Sequence, residues 1–289
     1  MLKMQDHKKE VEAQFQEHIE YYKSKGYFKG KNIIITGATG GIGSLTVKAF
    51  YDLGANVLAL VRNKQKFLTK FTKHDFPDLK VEQLSSFDEK GIYPQDLESL
   101  LYQLGGKVDV LIMCHGKYFN GDFENTKIID FDQCLNINTR SCVNLLSLMT
   151  PFLKLSKGNV VIVSSLEAFI PIKSSLLNTV TKSMINSLIQ SAALELASFG
   201  VRVNGVAPGI THTSFRVGVN EDFKESNNNQ LMQMIGKNNL LTNLAIDPEN
   251  VVDSIMFLAS DEAGFMTGEI LQVDDGFGLN HDFNFNAEI

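Results

Sequence analysis

The sequence predicts an α/β fold: one doubly wound, parallel, seven-stranded sheet with helices on both faces and a helical extension ahead of it. Three observations predict this. From Lys31 onward, β-branched runs alternate with segments of helical period, which is the signature of repeated βαβ units. Runs such as Ile33-Ile34-Ile35 and Val160-Val161-Ile162-Val163 are apolar on both faces, as strands covered by helices on each side must be. No low-complexity segment or Pro/Gly-rich linker divides the alternation, so the strands belong to one sheet.

The elements follow in order. Val11, Phe15, Ile19 and Tyr22 recur at helical spacing among charged residues, so roughly residues 7–24 form an amphipathic helix, expected to pack on its own domain rather than on a partner. Gly26 and Gly30 end it. Strands are expected near 32–36, 56–61, 80–84, 108–113, 159–164, 201–206 and 269–273. Helices are expected near 42–53, 93–104, 127–153, 175–199 and 249–259. Residues 1–29 are therefore an extension and residues 30–289 one domain.

Composition narrows the function classes. The 289 residues carry a net charge of -6 with no sustained basic run, which gives nucleic acid or an anionic membrane no electrostatic footprint. No apolar stretch has the length of a membrane span, and the first thirty residues lack the apolar core of a secretory signal. Those residues also lack arginine and carry Asp6, Glu10, Glu12, Glu17 and Glu20, against an ordinary mitochondrial presequence. Cytoplasm is the default expectation, with mitochondrial import by another route left open. The three cysteines, Cys114, Cys134 and Cys142, form no Cys-x-x-Cys pair and no metal framework, and they read as small apolar fillers.

The first chemical signal is Thr36-Gly37-Ala38-Thr39-Gly40-Gly41-Ile42-Gly43, between the first strand and the first helix of the domain. Glycine permits a tight turn and close approach to a pyrophosphate, and a helix N-terminus offers unpaired N–H groups and a favourable dipole. The position within a βαβ unit points to dinucleotide binding. With this turn, the chain resembles the short-chain dehydrogenase/reductase family, and the resemblance runs from Gly30-Lys31 to Asp274-Asp275-Gly276. Gly158 to Ser165, Val201-Arg202-Val203-Asn204, Pro208 to Thr213, Phe257 to Asp261 and Thr267-Gly268 carry it further. It implies a Rossmann-like sheet and cofactor contacts from Thr36, Gly37, Thr39, Gly41, Ile42, Gly43, Gly116, Lys182, Pro208, Gly209, Thr211 and Thr213.

The end of the second strand reaches an adenine ribose in such folds. NAD-preferring relatives carry an aspartate where this chain has Val61, and the next residue is Arg62, whose guanidinium can pair with a 2′-phosphate. NADP(H) is therefore favoured over NAD(H), the alternative for Arg62 being a solvated residue at a helix start. Two segments depart from the family pattern. Ser85-Ser86 follow Leu84 where an aspartate is usual, and Met113-Cys114-His115-Gly116 replaces Asn-Asn-Ala-Gly. His115 reads as an uncharged, hydrogen-bonded core histidine rather than a cofactor contact.

Reduction of a carbonyl needs an acid near the oxygen and donors for the developing charge. The family's Ser, Lys and Asn map onto Ser165, Lys182 and Asn138, whereas the tyrosine site, four residues before Lys182, is Asn178. An amide is neither acid nor base near neutral pH, so ordinary carbonyl reduction should be impaired. Lys182 reads either as a ligand of the nicotinamide ribose or as a helix-surface cation. Glu167, in the strand-end segment where the similar mitochondrial 2,4-dienoyl-CoA reductases place a substitute acid, and Tyr118 are the candidate replacements, although a rim or surface position is the expected place for both.

Residues from about 213 to 245 should form a substrate lid. Its middle, Ser226 to Gln230, is polar, and Phe215, Phe223, Leu231, Met232, Met234 and Ile235 offer an apolar lining. Two functions follow from different classes. One is an atypical NADP(H)-dependent oxidoreductase acting on a small carbonyl or enoyl-thioester; the other is a noncatalytic subunit of a larger assembly, for which Asp275 in place of a usual glycine suggests altered contacts. Apolar faces near 131–153 and 176–199 predict a homo-oligomer.

Overall fold

The computed structural model describes residues 2–83, 97, 101–102, 105–121, 123–213 and 236–280. Seven strands form one sheet: β1 (Asn32–Thr36), β2 (Asn56–Val61), β3 (Lys80–Gln83), β4 (Val110–Met113), β5 (Asn159–Val163), β6 (Arg202–Pro208) and β7 (Ile270–Val273). All pairings are parallel, in the order β3-β2-β1-β4-β5-β6-β7. The direction of winding reverses between β1 and β4, so a crevice opens beyond their carboxyl ends.

The alternation of side chains along a strand divides the core in two. Ile33 and Ile35 face a layer built by α1 (Leu2–Lys25), α2 (Gly41–Asp52), α3 (Lys64–Lys70) and α7 (Pro248–Ala259). Ile34, between them, faces the opposite layer of α5 (Ser141–Ser156) and α6 (Leu176–Leu196). Both faces of the sheet are thus dry, which is why β5 is buried at every position.

The extension is a helix packed on its own domain, as its spacing predicts. Val11, Phe15, Ile19 and Tyr22 are all buried. His18 Nδ1 pairs with Asp253 Oδ2 on α7 at 2.8 Å, and Tyr21 donates to Glu262 Oε1 at 2.5 Å. The helix begins at Leu2 rather than near residue 7.

Three local differences from expectation have physical causes. Helix α3 is too short for an apolar period, but Asn63 caps it by accepting from Lys66 N at 2.8 Å. The single helix expected over 127–153 is α4 (Ile128–Leu135), a π-helical turn (Asn136–Arg140) and α5, which ends at Ser156. In that turn Asn138 points inward: its Oδ1 accepts from Lys117 N at 2.7 Å and its Nδ2 donates to Lys117 O at 3.0 Å. Asp275 adopts φ 55°, and its carboxylate accepts from Thr242 N and Oγ1 at 3.1 and 2.6 Å, so it ties down its own chain. Leu97, Leu101 and Tyr102 are helical, while the rest of the helix expected near 93–104, Ser85, Ser86 and lid residues 214–235 lie outside the described residues.

Candidate active site

The cleft at the carboxyl ends of the strands has a cavity volume of about 150 Å³ and two walls. The first is the glycine turn. Gly37 has φ +66°, and a Cβ there would lie 2.6 Å from the backbone of Cys114 and His115. At Gly43 a Cβ would lie 2.2 Å from Gly37 O. These glycines let β1, the start of α2 and the segment after β4 touch through backbone alone. No acidic residue stands in the first turn of α2, and its cap, Gly40, supplies no side-chain hydrogen bond. Its N-terminal N–H groups and dipole therefore face the cleft uncompensated, which fits the phosphates of a dinucleotide.

Gly41, Ile42, Gly43, Gly116, Pro208, Gly209, Thr211 and Thr213 all line this cleft. Thr36, Gly37, Thr39, Arg62 and Asn138 do not. Thr36 supports it from behind, with Oγ1 2.6 Å from His115 Nδ1. Arg62 is exposed just beyond β2, and its charge reaches His115.

His115 is hydrogen-bonded at both nitrogens. Ser141 Oγ donates to Ile137 O at 2.6 Å and lies 2.7 Å from His115 Nε2, so Nε2 carries the proton and Nδ1 accepts from Thr36. Burial, then the charges of Lys182 and Arg62, lowers its pKa to about 3. His115 is thus uncharged and hydrogen-bonded, but it is only partly buried and lines the cleft, so it does not sit in the core as expected. Cys114 lines the cleft and is only partly buried by area, yet its thiol is desolvated and its pKa raised to about 12, so it remains a neutral thiol.

The second wall is built from side chains at the end of β5 and the first turns of α6. Ser165, Glu167, Asn178, Lys182 and Tyr118 meet here. Lys182 is 4% exposed and donates to Val163 O at 2.7 Å, so it is no helix-surface cation. Burial lowers its pKa, opposed by the three cysteines and Glu167. Glu167 and Tyr118 are 2% and 7% exposed, so the rim or surface position expected for both is wrong. The cause is a hydrogen-bonded chain: Tyr118 Oη to Ser175 Oγ, Ser175 Oγ to Glu167 Oε1 at 3.4 Å, and Asn178 Nδ2 to Glu167 Oε2. Ser165 Oγ accepts from Glu167 N at 3.2 Å, capping the short turn that carries Glu167.

Ser175 escaped the reading of the sequence, because nothing in its neighbours marks it. Only the parallel bridge between Gly121 and Ser175, with Gly121 N donating to Ser174 O at 3.0 Å, brings it beneath Tyr118. Chemically, this wall can hold a proton on a chain of hydroxyl groups ending at a carboxylate. At position 178 itself it offers only an amide.

Comparison with known proteins agrees with this architecture. The family model described as enoyl-(acyl carrier protein) reductase matches residues 37–278. A glucose 1-dehydrogenase of Gluconobacter oxydans is 27% identical, over 91% of this chain and 97% of its own. A 3alpha-hydroxysteroid dehydrogenase of Mediterraneibacter gnavus is 30% identical, over 85% and 96%. The crystal structure of a short-chain dehydrogenase/reductase of unknown function from Caenorhabditis elegans, with cofactor, superposes with a TM-score of 0.78 at 27% identity, over 88% of this chain and 97% of that one. Since the model spans most of the chain and these relatives are covered almost end to end, the chain belongs to the short-chain dehydrogenase/reductase family of oxidoreductases, which binds a nicotinamide dinucleotide.

Proposed function

We propose that this protein is an NADP(H)-binding oxidoreductase in which ordinary carbonyl reduction is impaired at proton transfer. The observation that carries the reading is Asn178, held against Glu167 where the family places its tyrosine, beside Lys182 and Ser165 in one cleft. When bound, the cofactor supplies or accepts a hydride. Glycine-turn N–H groups, Thr211 and Thr213 hold the dinucleotide, Arg62 pairs with its 2′-phosphate, and Lys182 reaches the nicotinamide ribose. Ser165 donates to the substrate oxygen. Asn138 acts through the backbone of Lys117, which it holds at both N and O.

Relatives named as dehydrogenases of a sugar and a steroid, and as a 3-oxoacyl-carrier reductase, support a small carbonyl, enoyl-thioester or matching alcohol as substrate class. Exposed Val143, Met184 and Leu194 on α5 and α6 support a homo-oligomer, which a native mass at micromolar concentration tests. A second reading, a noncatalytic subunit, is favoured by the amide at position 178. The deciding experiment titrates the purified chain with NADPH by calorimetry and follows NADPH oxidation with diketones, quinones and enoyl-thioesters. Binding with slow turnover is expected. Absence of NADPH binding overturns the reading, and binding with no turnover of any substrate favours the subunit.

A further inference from the structure

The chain beyond β2 carries more positive charge than Arg62 alone supplies. Arg62 is followed by Lys64, Lys66, Lys70 and Lys73 with no carboxylate among them, in a chain of net charge -6. Two of these cations are already engaged. Lys64 Nζ lies 3.9 Å from Glu82 Oε2, and Lys73 Nζ donates to Leu79 O at 3.4 Å. Lys70 differs: it stands in the last turn of α3, yet its ammonium reaches back to the glycine turn and donates to Thr39 O at 3.5 Å.

The fold fixes where that ammonium stands. Thr36 and Leu60 are paired in the sheet, so the glycine turn after β1 and Val61-Arg62 at the end of β2 leave the sheet side by side. Asn63, directly after Arg62, caps α3 by accepting from Lys66 N at 2.8 Å. Phe67 and Phe71 are buried and stacked, with ring centroids 4.6 Å apart, which anchors the turn of chain that carries Lys70. Helix α3 is thus a short bracket that starts beside Arg62 and returns a second cation to the glycine turn.

Charge decides what this arrangement suits. A phosphate monoester carries roughly -1.5 to -2 near neutral pH, more than one guanidinium balances. Thr39 O is a neutral acceptor that takes one of the three N–H groups of Lys70 and leaves two for an anion. Neither Arg62 nor Lys70 is ion-paired with a carboxylate among the described residues, so no partner has to be released first. We propose that Lys70 is a second specificity-determining residue for the cofactor, holding the 2′-phosphate from α3 while Arg62 holds it from the end of β2. The inference rests on the reading of this protein as NADP(H)-binding. It divides the preference for the phosphate between two elements, so loss of either cation weakens NADPH and spares NADH.

The test titrates the full chain with NADPH and with NADH by calorimetry. Lys70 is exposed, so its variants should melt as the wild type does. Lys70→Gln should weaken NADPH roughly threefold to tenfold and leave NADH unchanged, since an exposed charge contact is of modest strength. Lys70→Arg, which keeps the charge, should keep the preference. Lys64→Gln removes the same charge from the same helix without a contact to the glycine turn, and should leave NADPH affinity as it is. Unchanged NADPH affinity in Lys70→Gln, equal losses for both cofactors, or an equal loss in Lys64→Gln overturns the proposal. If Arg62→Ala lowers the preference and Lys70→Gln does not, this inference falls and the NADP(H) reading stands. A wild type that binds NADPH no tighter than NADH overturns both.

Discussion

The two walls of the cleft are built by different means. On one side, β1, the glycine turn and the start of α2 approach each other through backbone, with Gly37 and Gly43 so closely packed that no side chain fits. On the other, the ends of β5 and α6 meet through side chains: Ser165, Glu167, Ser175 and Asn178 hold one another by hydrogen bonds. A backbone wall cannot change its chemistry without breaking its geometry. A side-chain wall can, since Asn178 occupies the helical turn before Lys182 and places an amide there. The glycine wall is therefore fixed by its backbone geometry, while the chemistry of the facing wall is set by exchangeable side chains.

The largest test of that contrast is to rewrite the reactive wall back. A phenol at 178 would face the Glu167 carboxylate, which would keep it protonated and turn it from the substrate. Asn178→Tyr alone should thus raise NADPH-dependent reduction of a quinone or diketone modestly. Combined with Glu167→Ala it should raise the rate by up to about 10²–10⁴-fold. If the wild type already reduces these substrates well and Asn178→Tyr slows it, the Tyr118–Ser175–Glu167 chain is delivering the proton instead. The backbone wall should tolerate no equivalent change. Gly43→Ala forces a Cβ into Gly37 O at 2.2 Å, so it should cost about 1–3 kcal/mol of stability and abolish NADPH binding. Melting curves and calorimetry read both effects.

Smaller effects sharpen the comparison at its edges. His115 joins the walls from beneath, and its folded pKa of about 3 lies below the ordinary 6.5. The unfolded chain takes up its proton first as the pH falls, so this contribution is complete above about 6.5 and is lost progressively toward about 3. Thermal melts at pH 7 and 5 should differ by about 1–2 kcal/mol more in the wild type than in His115→Asn. Arg62 lies beyond the packed cleft, where a change leaves the fold alone. Arg62→Ala should lower NADPH affinity about tenfold and leave NADH affinity unchanged, as titrations with both will show. Equal losses for the two would remove Arg62 from the phosphate site.

Much of this molecule was legible in one dimension. Ile33 to Ile35 and Val160 to Val163 announce buried parallel strands because a strand covered on both sides has no polar face. Glycines 37 to 43 announce the turn because tight backbone packing requires that residue type. That Asn178 stands four residues before Lys182 was legible too, and the resemblance to the family marked it as the position to compare with a tyrosine. Helix α3 and the π-helical turn at Asn136–Arg140 were not, since neither is long enough to carry a period. The burial of Glu167, the role of Ser175 and the orientation of the Asn178 amide belong to tertiary structure alone. They depend on a loop after β4 meeting the start of α6 across 54 residues, at the Gly121–Ser175 bridge. Local pattern determines where the chain is strand, turn or helix; only the assembled sheet decides which polar groups share a cleft, because a hydrogen bond between distant residues leaves no period in the sequence.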